Sequence, residues 1–274
     1  MPTRRFHARA LVALVVATLL VTGPVTTQAA TAVTGGGGGP TLVTQVPVAR
    51  GCFVVAPWLA GVKVFLVQRA LGLVGHRERY DTATQAAVRA YQSAHGLRVT
   101  GRVNRVTWNA LHTGHRFCID RYTAQPSLPL DATMSVRRRA MVRYAKAQVG
   151  RRYIWGGAGP LGFDCSGLAL QSAHAAGLSI PAITTADHQR SDFPSGSVLF
   201  VHAGLERVPF AQRQRGDLVF WAWPGASMDA VEHVAIYLGH DRIVEAVRPR
   251  IRFSSVWSHP DLVRKARVVR PFPS

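Results

Sequence analysis

Lysine, acidic residues and long apolar runs are scarce in this 274-residue sequence. Of its 33 basic residues, Lys63, Lys146 and Lys265 are lysines, and 14 acidic residues leave a net charge of +19. A surface this basic suits nucleic acid, a polyanionic cell wall or an anionic membrane, so charge alone does not identify the partner. The apolar run at residues 10–21 is shorter than the ~20 residues that span a bilayer, which argues against a membrane anchor.

The N-terminus has the pattern of a secretory signal peptide. Arg4 and Arg5 precede the apolar run, and small residues follow a break at Gly23-Pro24. A basic, an apolar and a small-residue region in that order direct export. We therefore expect a signal peptide over residues 1–30 and a secreted protein that acts at the cell wall or outside the cell. Export favours anionic wall polymers over nucleic acid as partners.

Cysteine is also scarce, and the number of cysteines is odd. Cys52 and Cys118 bracket a compact segment, and we expect a disulfide between them worth roughly 4 kcal/mol in a chain-entropy treatment. Cys165 is then a free thiol, either buried and inert or reactive. No His, Cys and Asp cluster has metal-ligand spacing, and His112 with His115 is an isolated pair, so no metal or other cofactor is expected.

Glycine and proline divide the chain into segments. A Gly-rich linker is expected over residues 31–48 and a small helical domain over residues 49–120. A second linker, with two prolines among polar residues, is expected over residues 121–135, followed by a larger domain over residues 136–274. The length of the chain allows two domains of this kind.

The small domain is predicted to contain three short helices. Apolar spacing indicates a helix over residues 62–71 and a second over residues 82–94, opened by a capping box that starts at Thr82. Asn104 is placed to cap the third. Three short helices make a marginal core, which fits the expected disulfide. In the larger domain, Ser135 is expected to cap a helix over residues 136–148.

Cys165 lies where a helix is expected to begin. The run Trp155-Gly156-Gly157-Ala158-Gly159-Pro160 leads toward it, and residues 166–176 are predicted to be helical, with Gly177 as the stop. The positive end of a helix dipole favours a thiolate at such a position. The placement of Cys165 therefore indicates a nucleophile.

A nucleophilic thiol needs a base, and the base needs an orienting group on its other ring nitrogen. His233 opens a β-rich apolar run, a turn follows at residues 239–241, and a second run carries Glu245. An odd-length loop would put His233 and Glu245 on one face of the hairpin as near or diagonal partners, ~7–8 Å apart between backbones. The alternative is that His233 faces solvent and Glu245 makes a surface pair.

The small domain resembles the peptidoglycan-binding-like domain of bacterial wall enzymes. The matching stretches are Val67-Gln68-Arg69-Ala70-Leu71-Gly72-Leu73, Thr84-Gln85-Ala86-Ala87-Val88-Arg89-Ala90-Tyr91-Gln92, His95-Gly96-Leu97, Val99-Thr100-Gly101 and Thr107-Trp108-Asn109-Ala110-Leu111. In place of the Gly-rich turn usual in that domain, this chain has Arg77-Glu78-Arg79. The resemblance implies a module that targets the wall.

The larger domain resembles the NlpC-type cell-wall cysteine peptidases, a compact papain-like family. The matching stretches are Tyr153-Ile154-Trp155-Gly156-Gly157, Phe163-Asp164-Cys165-Ser166-Gly167-Leu168, Gly216-Asp217-Leu218-Val219-Phe220-Trp221 and His233-Val234-Ala235-Ile236-Tyr237-Leu238-Gly239. The resemblance implies an α+β fold in which helices pack on an antiparallel sheet. This chain departs from the pattern in a long stretch over residues 184–213 and in an insertion at residues 224–231.

The same resemblance implies site residues and an activity. Cys165 would be the nucleophile, His233 the base and Glu245 the third polar group, with Tyr153 and Ser166 as auxiliary groups near the oxyanion. The expected reaction is hydrolysis of a peptidoglycan stem peptide between D-glutamate and meso-diaminopimelate or lysine, by a monomer. The alternatives are a non-catalytic wall-binding protein, or an amidase or acyltransferase that uses the same thiol.

Overall fold

The computed structural model describes residues 40–46, 50–73, 75, 78–120, 124–180, 196–201 and 204–273. The expected signal peptide, the run of glycines at residues 35–39 and residues 184–195 of the long stretch lie outside these residues. Among the helices described, none has the length and apolar character to cross a bilayer.

The described architecture consists of a small helical lobe and a larger domain with a seven-stranded sheet, together with three two-stranded sheets. The helices are α1 Val62–Ala70, α2 Thr82–Ala94, α3 Arg105–Ala110, α4 Met134–Ala147, α5 Cys165–Ala175 and α6 Gly196–Val201, with a 3₁₀ turn at Phe210–Gln212. The strands are β1 Thr41–Leu42, β2 Arg50–Gly51, β3 Ile119–Asp120, β4 Arg152–Tyr153, β5 Gly162–Phe163, β6 Leu178–Ser179, β7 Glu206–Pro209, β8 Leu218–Ala222, β9 His233–Gly239, β10 Arg242–Ala246, β11 Ile251–Ser255, β12 Val263–Arg264 and β13 Arg267–Arg270.

The small lobe consists of α1, α2 and α3 around a small apolar core. Val64, Val67, Val88 and Trp108 are almost fully buried in it. Cys52 and Cys118 form the expected disulfide, and β2 pairs with β3 next to it. Cross-linking the two ends of a lobe with so small a core restricts its unfolded state.

The capping residues of two helices lie upstream of the expected ones. Helix α2 is capped by Asp81, whose carboxylate accepts a backbone N–H from the first turn at 2.8 Å, so Thr82 is the first helical residue and not the cap. Helix α4 is capped by Thr133, which moves its start ahead of Ser135. Asn104 caps α3 as expected. In both corrected cases a good capping residue lies one or two positions upstream.

Parts of both expected linkers pack against the larger domain. Strand β1 pairs with β6, and the backbone of buried Val46 exchanges hydrogen bonds with the Gln125 side chain. The fully buried guanidinium of Arg137 on α4 then binds backbone carbonyls of the second segment, namely Pro129, Leu130 and Ala132. These contacts give residues 40–46 and 124–133 fixed positions.

The larger domain is an antiparallel sheet with helices on one face. The strand order is β11-β10-β9-β8-β13-β7, and β12 also pairs with β8. Helices α4 and α5 pack on one face through a core that includes Leu168, Phe220 and Ile236. A smaller core around Trp221 and Ile243 covers the other face. This arrangement confirms the predicted α+β fold of helices packed on an antiparallel sheet.

Candidate active site

Cys165 is the first residue of α5, and Asp164 caps the start of that helix. One Asp164 oxygen accepts the Gly167 N–H at 2.7 Å, and the other accepts the Gly156 N–H at 2.8 Å. The Ser166 hydroxyl donates to the same carboxylate at 3.1 Å. Asp164 was not among the predicted site residues, although an aspartate just before a helical run is a typical N-cap. The cap ties the glycine-rich loop to the nucleophile helix and uses the Ser166 side chain to do so.

The glycines of this region allow a close approach between the loop and α5. A Cβ added to Gly167 would overlap the carbonyl oxygen of Gly157. A Cβ added to Gly157 would in turn lie 2.8 Å from the carbonyl oxygens of Ile154 and Gly162. The loop backbone therefore lies directly against the first turn of the helix, beside the thiol.

The local environment of Cys165 disfavours an isolated thiolate. Burial, followed by the nearby Asp164 carboxylate, raises the pKa of Cys165 to about 12. Backbone hydrogen bonds from Val234 and Ser166 act in the opposite direction. The helix start alone therefore does not produce a thiolate, contrary to the expectation from the dipole. Because Val234 follows His233, the same contacts place the thiol at the beginning of β9.

His233 and Glu245 are brought together as a hydrogen-bonded pair. Nε2 of His233 lies 2.9 Å from an oxygen of Glu245. The His233 residue is 7% exposed and Glu245 is fully buried, so solvent does not compete for the contact. With Nε2 engaged by the carboxylate, Nδ1 of His233 is the ring nitrogen left for the thiol.

The turn of the hairpin differs from the predicted one. The turn consists of two residues, His240 and Asp241, both with positive φ, and not of the three expected over 239–241. That turn alone would put His233 and Glu245 on opposite faces of the hairpin. A one-residue shift of register between Arg242 and Ile243 restores the same face, with the two residues as diagonal partners.

A second histidine, His259, shares the carboxylate. Its Nε2 lies 2.7 Å from the Glu245 oxygen that also binds His233, and the two imidazole rings are 4.6 Å apart. The indole of Trp221 packs against both imidazoles, with ring centroids 5.5 Å from that of His233 and 5.0 Å from that of His259. Sequence reasoning missed His259 because it follows β11 in an irregular segment with no periodic pattern.

Hydrogen bonds keep the Glu245 carboxylate ionised despite its burial. Burial alone would raise the pKa of Glu245, but hydrogen bonds from His233, His259 and Ser254 hold it well below its usual value. Arg252 adds a further contact at 3.2 Å. Burial lowers the pKa of His233, and its bond to Glu245 offsets part of that effect. His233 is therefore mostly neutral at pH 7 and able to accept a proton.

The same three side chains form a potential cation site. Ligand atoms of His233, Glu245 and His259 all lie within 4.8 Å of one another. Two imidazoles and a carboxylate are a donor set that suits Zn²⁺. The sequence spacing did not reveal this cluster, because β11 separates His259 from its two partners.

Tyr153 lies at the edge of the site. It is half-buried, and its ring lies 4.9 Å from the Arg248 guanidinium. Burial, followed by the charges of Cys165 and Asp164, raises the pKa of Tyr153, so its hydroxyl stays protonated at neutral pH and can donate a hydrogen bond.

These residues open into one cleft of about 640 Å³. Cys165, His233, His259 and Tyr153 line it, together with the exposed ring of Trp223. A nucleophile, a neutral base held by a carboxylate and a phenol donor thus meet at a solvent-accessible surface. That set suits acyl transfer from an amide.

Two parts of the chain match known families, and curated relatives match one of these parts. Residues 150–265 match the NlpC/P60 family, and residues 62–111 match a family described as "Putative peptidoglycan binding domain". Over 119 residues the chain is 31% identical to the peptidoglycan endopeptidase RipA of Mycobacterium tuberculosis, which covers 39% of this chain and 21% of RipA. Over 133 residues it is 31% identical to the bifunctional muramidase/DL-endopeptidase CwlT of Bacillus subtilis, which covers 47% of this chain and 35% of CwlT.

A solved structure is also similar in part. It is that of RipD from Mycobacterium tuberculosis, described as a non-catalytic NlpC/p60 domain protein with an adaptation to peptidoglycan-binding function. The match is 26% identical, covers 49% of this chain and 96% of that chain, and has a TM-score of 0.36. The chain spans about a fifth to a third of the length of the two curated relatives.

Proposed function

We propose that this protein is a cysteine peptidase that hydrolyses peptidoglycan stem peptides, since residues 150–265 match the NlpC/P60 family. The scissile bond is the amide between D-glutamate and meso-diaminopimelate or lysine. One observation carries the proposal: the free thiol contacts the backbone of Val234 and lines the same cleft as His233, whose Nε2 is held 2.9 Å from a buried, ionised carboxylate. Cys165, His233 and Glu245 form the triad.

Acylation begins with transfer of the Cys165 proton to Nδ1 of His233 as sulfur attacks the amide carbonyl carbon. The imidazolium that forms is stabilised by Glu245, which accepts its Nε2–H. The oxyanion accepts hydrogen bonds from the Cys165 backbone N–H and from the Tyr153 hydroxyl. His233 then gives its proton to the leaving amine as the C–N bond breaks, which leaves a thioester on Cys165.

Deacylation reverses the roles of the same groups. His233 takes a proton from water, and the hydroxide attacks the thioester carbonyl. The tetrahedral intermediate expels the Cys165 sulfur, which recovers the proton from the imidazolium. The triad uses no cofactor. His259 shares one Glu245 oxygen with His233 and helps to position that carboxylate.

The wall as site of action has independent support. The small lobe matches a peptidoglycan-binding family, and both curated relatives are named as endopeptidases, one of them as a DL-endopeptidase. The N-terminal pattern favours export, and the +19 charge favours anionic wall polymers. We propose a secreted monomer that binds wall material. Retention on purified wall that exceeds retention on DNA at equal salt supports this, and equal retention on DNA contradicts it.

Digestion of defined stem peptides tests the proposed activity. The chain lacking residues 1–30 should release a fragment with a new diaminopimelate or lysine amino terminus, seen by mass spectrometry, and Cys165→Ala should release none. Binding of wall without cleavage by the wild type would indicate the non-catalytic alternative. Transfer of the acyl group to an added amine, in place of hydrolysis, would indicate an acyltransferase.

A further inference from the structure

The two lobes meet at the rim of the catalytic cleft. Glu78 of the small lobe makes a two-pronged ion pair with Arg248, at 2.5 Å to Nη2 and 3.2 Å to Nη1. A Glu78 oxygen also accepts the backbone N–H of Trp155 at 3.4 Å. Glu78 belongs to the Arg77-Glu78-Arg79 stretch that replaces the glycine-rich turn of the peptidoglycan-binding-like domain. The departure from the family pattern therefore coincides with the contact between the lobes.

Close packing holds Glu78 and Arg79 against the cleft. A Cβ added to Gly156 would lie 3.2 Å from the Gly61 nitrogen and 3.3 Å from the Ala60 Cβ. Ile154 of the larger domain is fully buried in the core of the small lobe. Arg79 forms a β-bridge with Ala60. The backbone of Arg79 therefore pairs with a segment that packs directly against the larger domain.

The Arg79 side chain extends from this junction into the cleft. It lines the same cavity as Cys165 and His233, and its guanidinium stacks on the Trp155 ring at 4.6 Å. Within the described residues the guanidinium has no hydrogen-bond or ion-pair partner, whereas Arg248 next to it is neutralised by Glu78. Arg79 therefore presents five N–H donors and a full positive charge to whatever occupies the cleft.

We propose that Arg79 is a substrate-binding residue, by which the small lobe recognises a carboxylate of the peptide next to the scissile amide. A planar guanidinium binds a carboxylate through two parallel hydrogen bonds, and stacking on Trp155 orients it for that purpose. This inference rests on the proposed function. The small lobe then contributes to specificity and forms one wall of the active site.

A pair of peptides that differ in one group tests the assignment. In the first, γ-linked D-glutamate carries a free α-carboxylate, and in the second that group is a carboxamide. Wild type should cleave the carboxylate peptide with a kcat/KM about 10- to 100-fold higher, as expected for a charge-assisted pair. Arg79→Gln should lose this preference through KM, with kcat nearly unchanged. Arg98→Gln, which changes an exposed arginine of the same lobe, should keep it.

Calorimetry of the uncleaved peptides with Cys165→Ala separates binding from chemistry. In this background Arg79→Gln should weaken binding of the carboxylate peptide by the same 10- to 100-fold factor and leave binding of the carboxamide peptide unchanged. A purely structural role of Arg79 would lower thermal stability and leave the ratio between the two peptides intact. If Arg79→Gln keeps the wild-type ratio between the two peptides, or if wild type cleaves both with the same kcat/KM, the inference is overturned and the peptidase activity stands. Failure of wild type to cleave either peptide overturns the proposed function, and the calorimetric ratio then still decides the role of Arg79.

Discussion

Removal of the base should make Cys165 less reactive than an ordinary cysteine. In His233→Ala, burial and Asp164 still raise the thiol pKa from 9.0 to about 12, because neither cause is removed. At pH 7 the thiolate fraction is then about 1,000-fold below that of an unperturbed thiol. A more basic thiolate attacks disulfides faster, with a Brønsted slope near 0.45, which recovers about 20-fold. The net expectation is a rate about 50-fold below that of an unperturbed thiol.

Reaction with a small aromatic disulfide, followed by absorbance under pseudo-first-order conditions, measures this rate. The His233→Ala rate should rise about tenfold per pH unit up to at least pH 10, whereas the wild-type rate at pH 7 should be higher than that of the variant, because His233 can accept the thiol proton as sulfur attacks. His115→Ala, which removes an exposed histidine of the small lobe, is the matched control and should behave as wild type. A plateau of the His233→Ala rate below pH 8 would refute the reasoning, because it would show a thiolate stabilised without the imidazole.

Three further perturbations probe the same site and its support. Activity requires neutral His233, whose pKa lies below 6.5, so the kcat/KM of wild type should fall only as the pH drops below 6.5. Glu245→Gln should lower kcat roughly 100-fold and move this acid limb to lower pH, because the carboxylate raises the pKa of His233. A move of the acid limb to higher pH would contradict this effect of the carboxylate. Zn²⁺ should inhibit the enzyme, and a chelator should restore the activity. His259→Asn should raise the inhibitory Zn²⁺ concentration at least 10-fold. Equal inhibition of the variant and wild type would show that His259 does not bind the metal. Asp217→Ala should destabilise the fold by roughly 3–5 kcal/mol, because it removes the 3.0 Å ion pair and leaves the charge of Arg270 buried without its partner. Denaturant titration measures this loss, and a value below about 1 kcal/mol would show that water compensates the arginine.

Features that depend on local sequence were predictable. A glycine-rich loop followed by a helical run places Cys165 at a helix start, and the structure has it as the first residue of α5. Two apolar runs around a short turn predict the hairpin that brings Glu245 to His233. The Cys52–Cys118 pairing follows from the position of the two cysteines at the ends of one compact segment. In each case the signal and its structural consequence lie within one element or at the ends of one lobe.

Features that depend on the approach of distant segments were not predictable. His259 reaches Glu245 only because β11 turns the chain back over the sheet, and nothing in its neighbouring residues marks it. Glu78 contacts Arg248 across 170 positions in the sequence. The raised pKa of Cys165 depends on burial by both loop and sheet, which a helix dipole argument does not include. These are tertiary effects that override local preference.

The register shift in the hairpin makes the site sensitive to chain length as well as to side-chain identity. Between His233 and Glu245 the number of residues must keep its parity, since loss or gain of one residue in the turn would turn the carboxylate to the opposite face of the sheet. A change of two residues would preserve the face and move only the position along the strand. Natural variation in this turn should therefore occur in steps of two, and a single-residue deletion there should abolish activity while every triad side chain is still present.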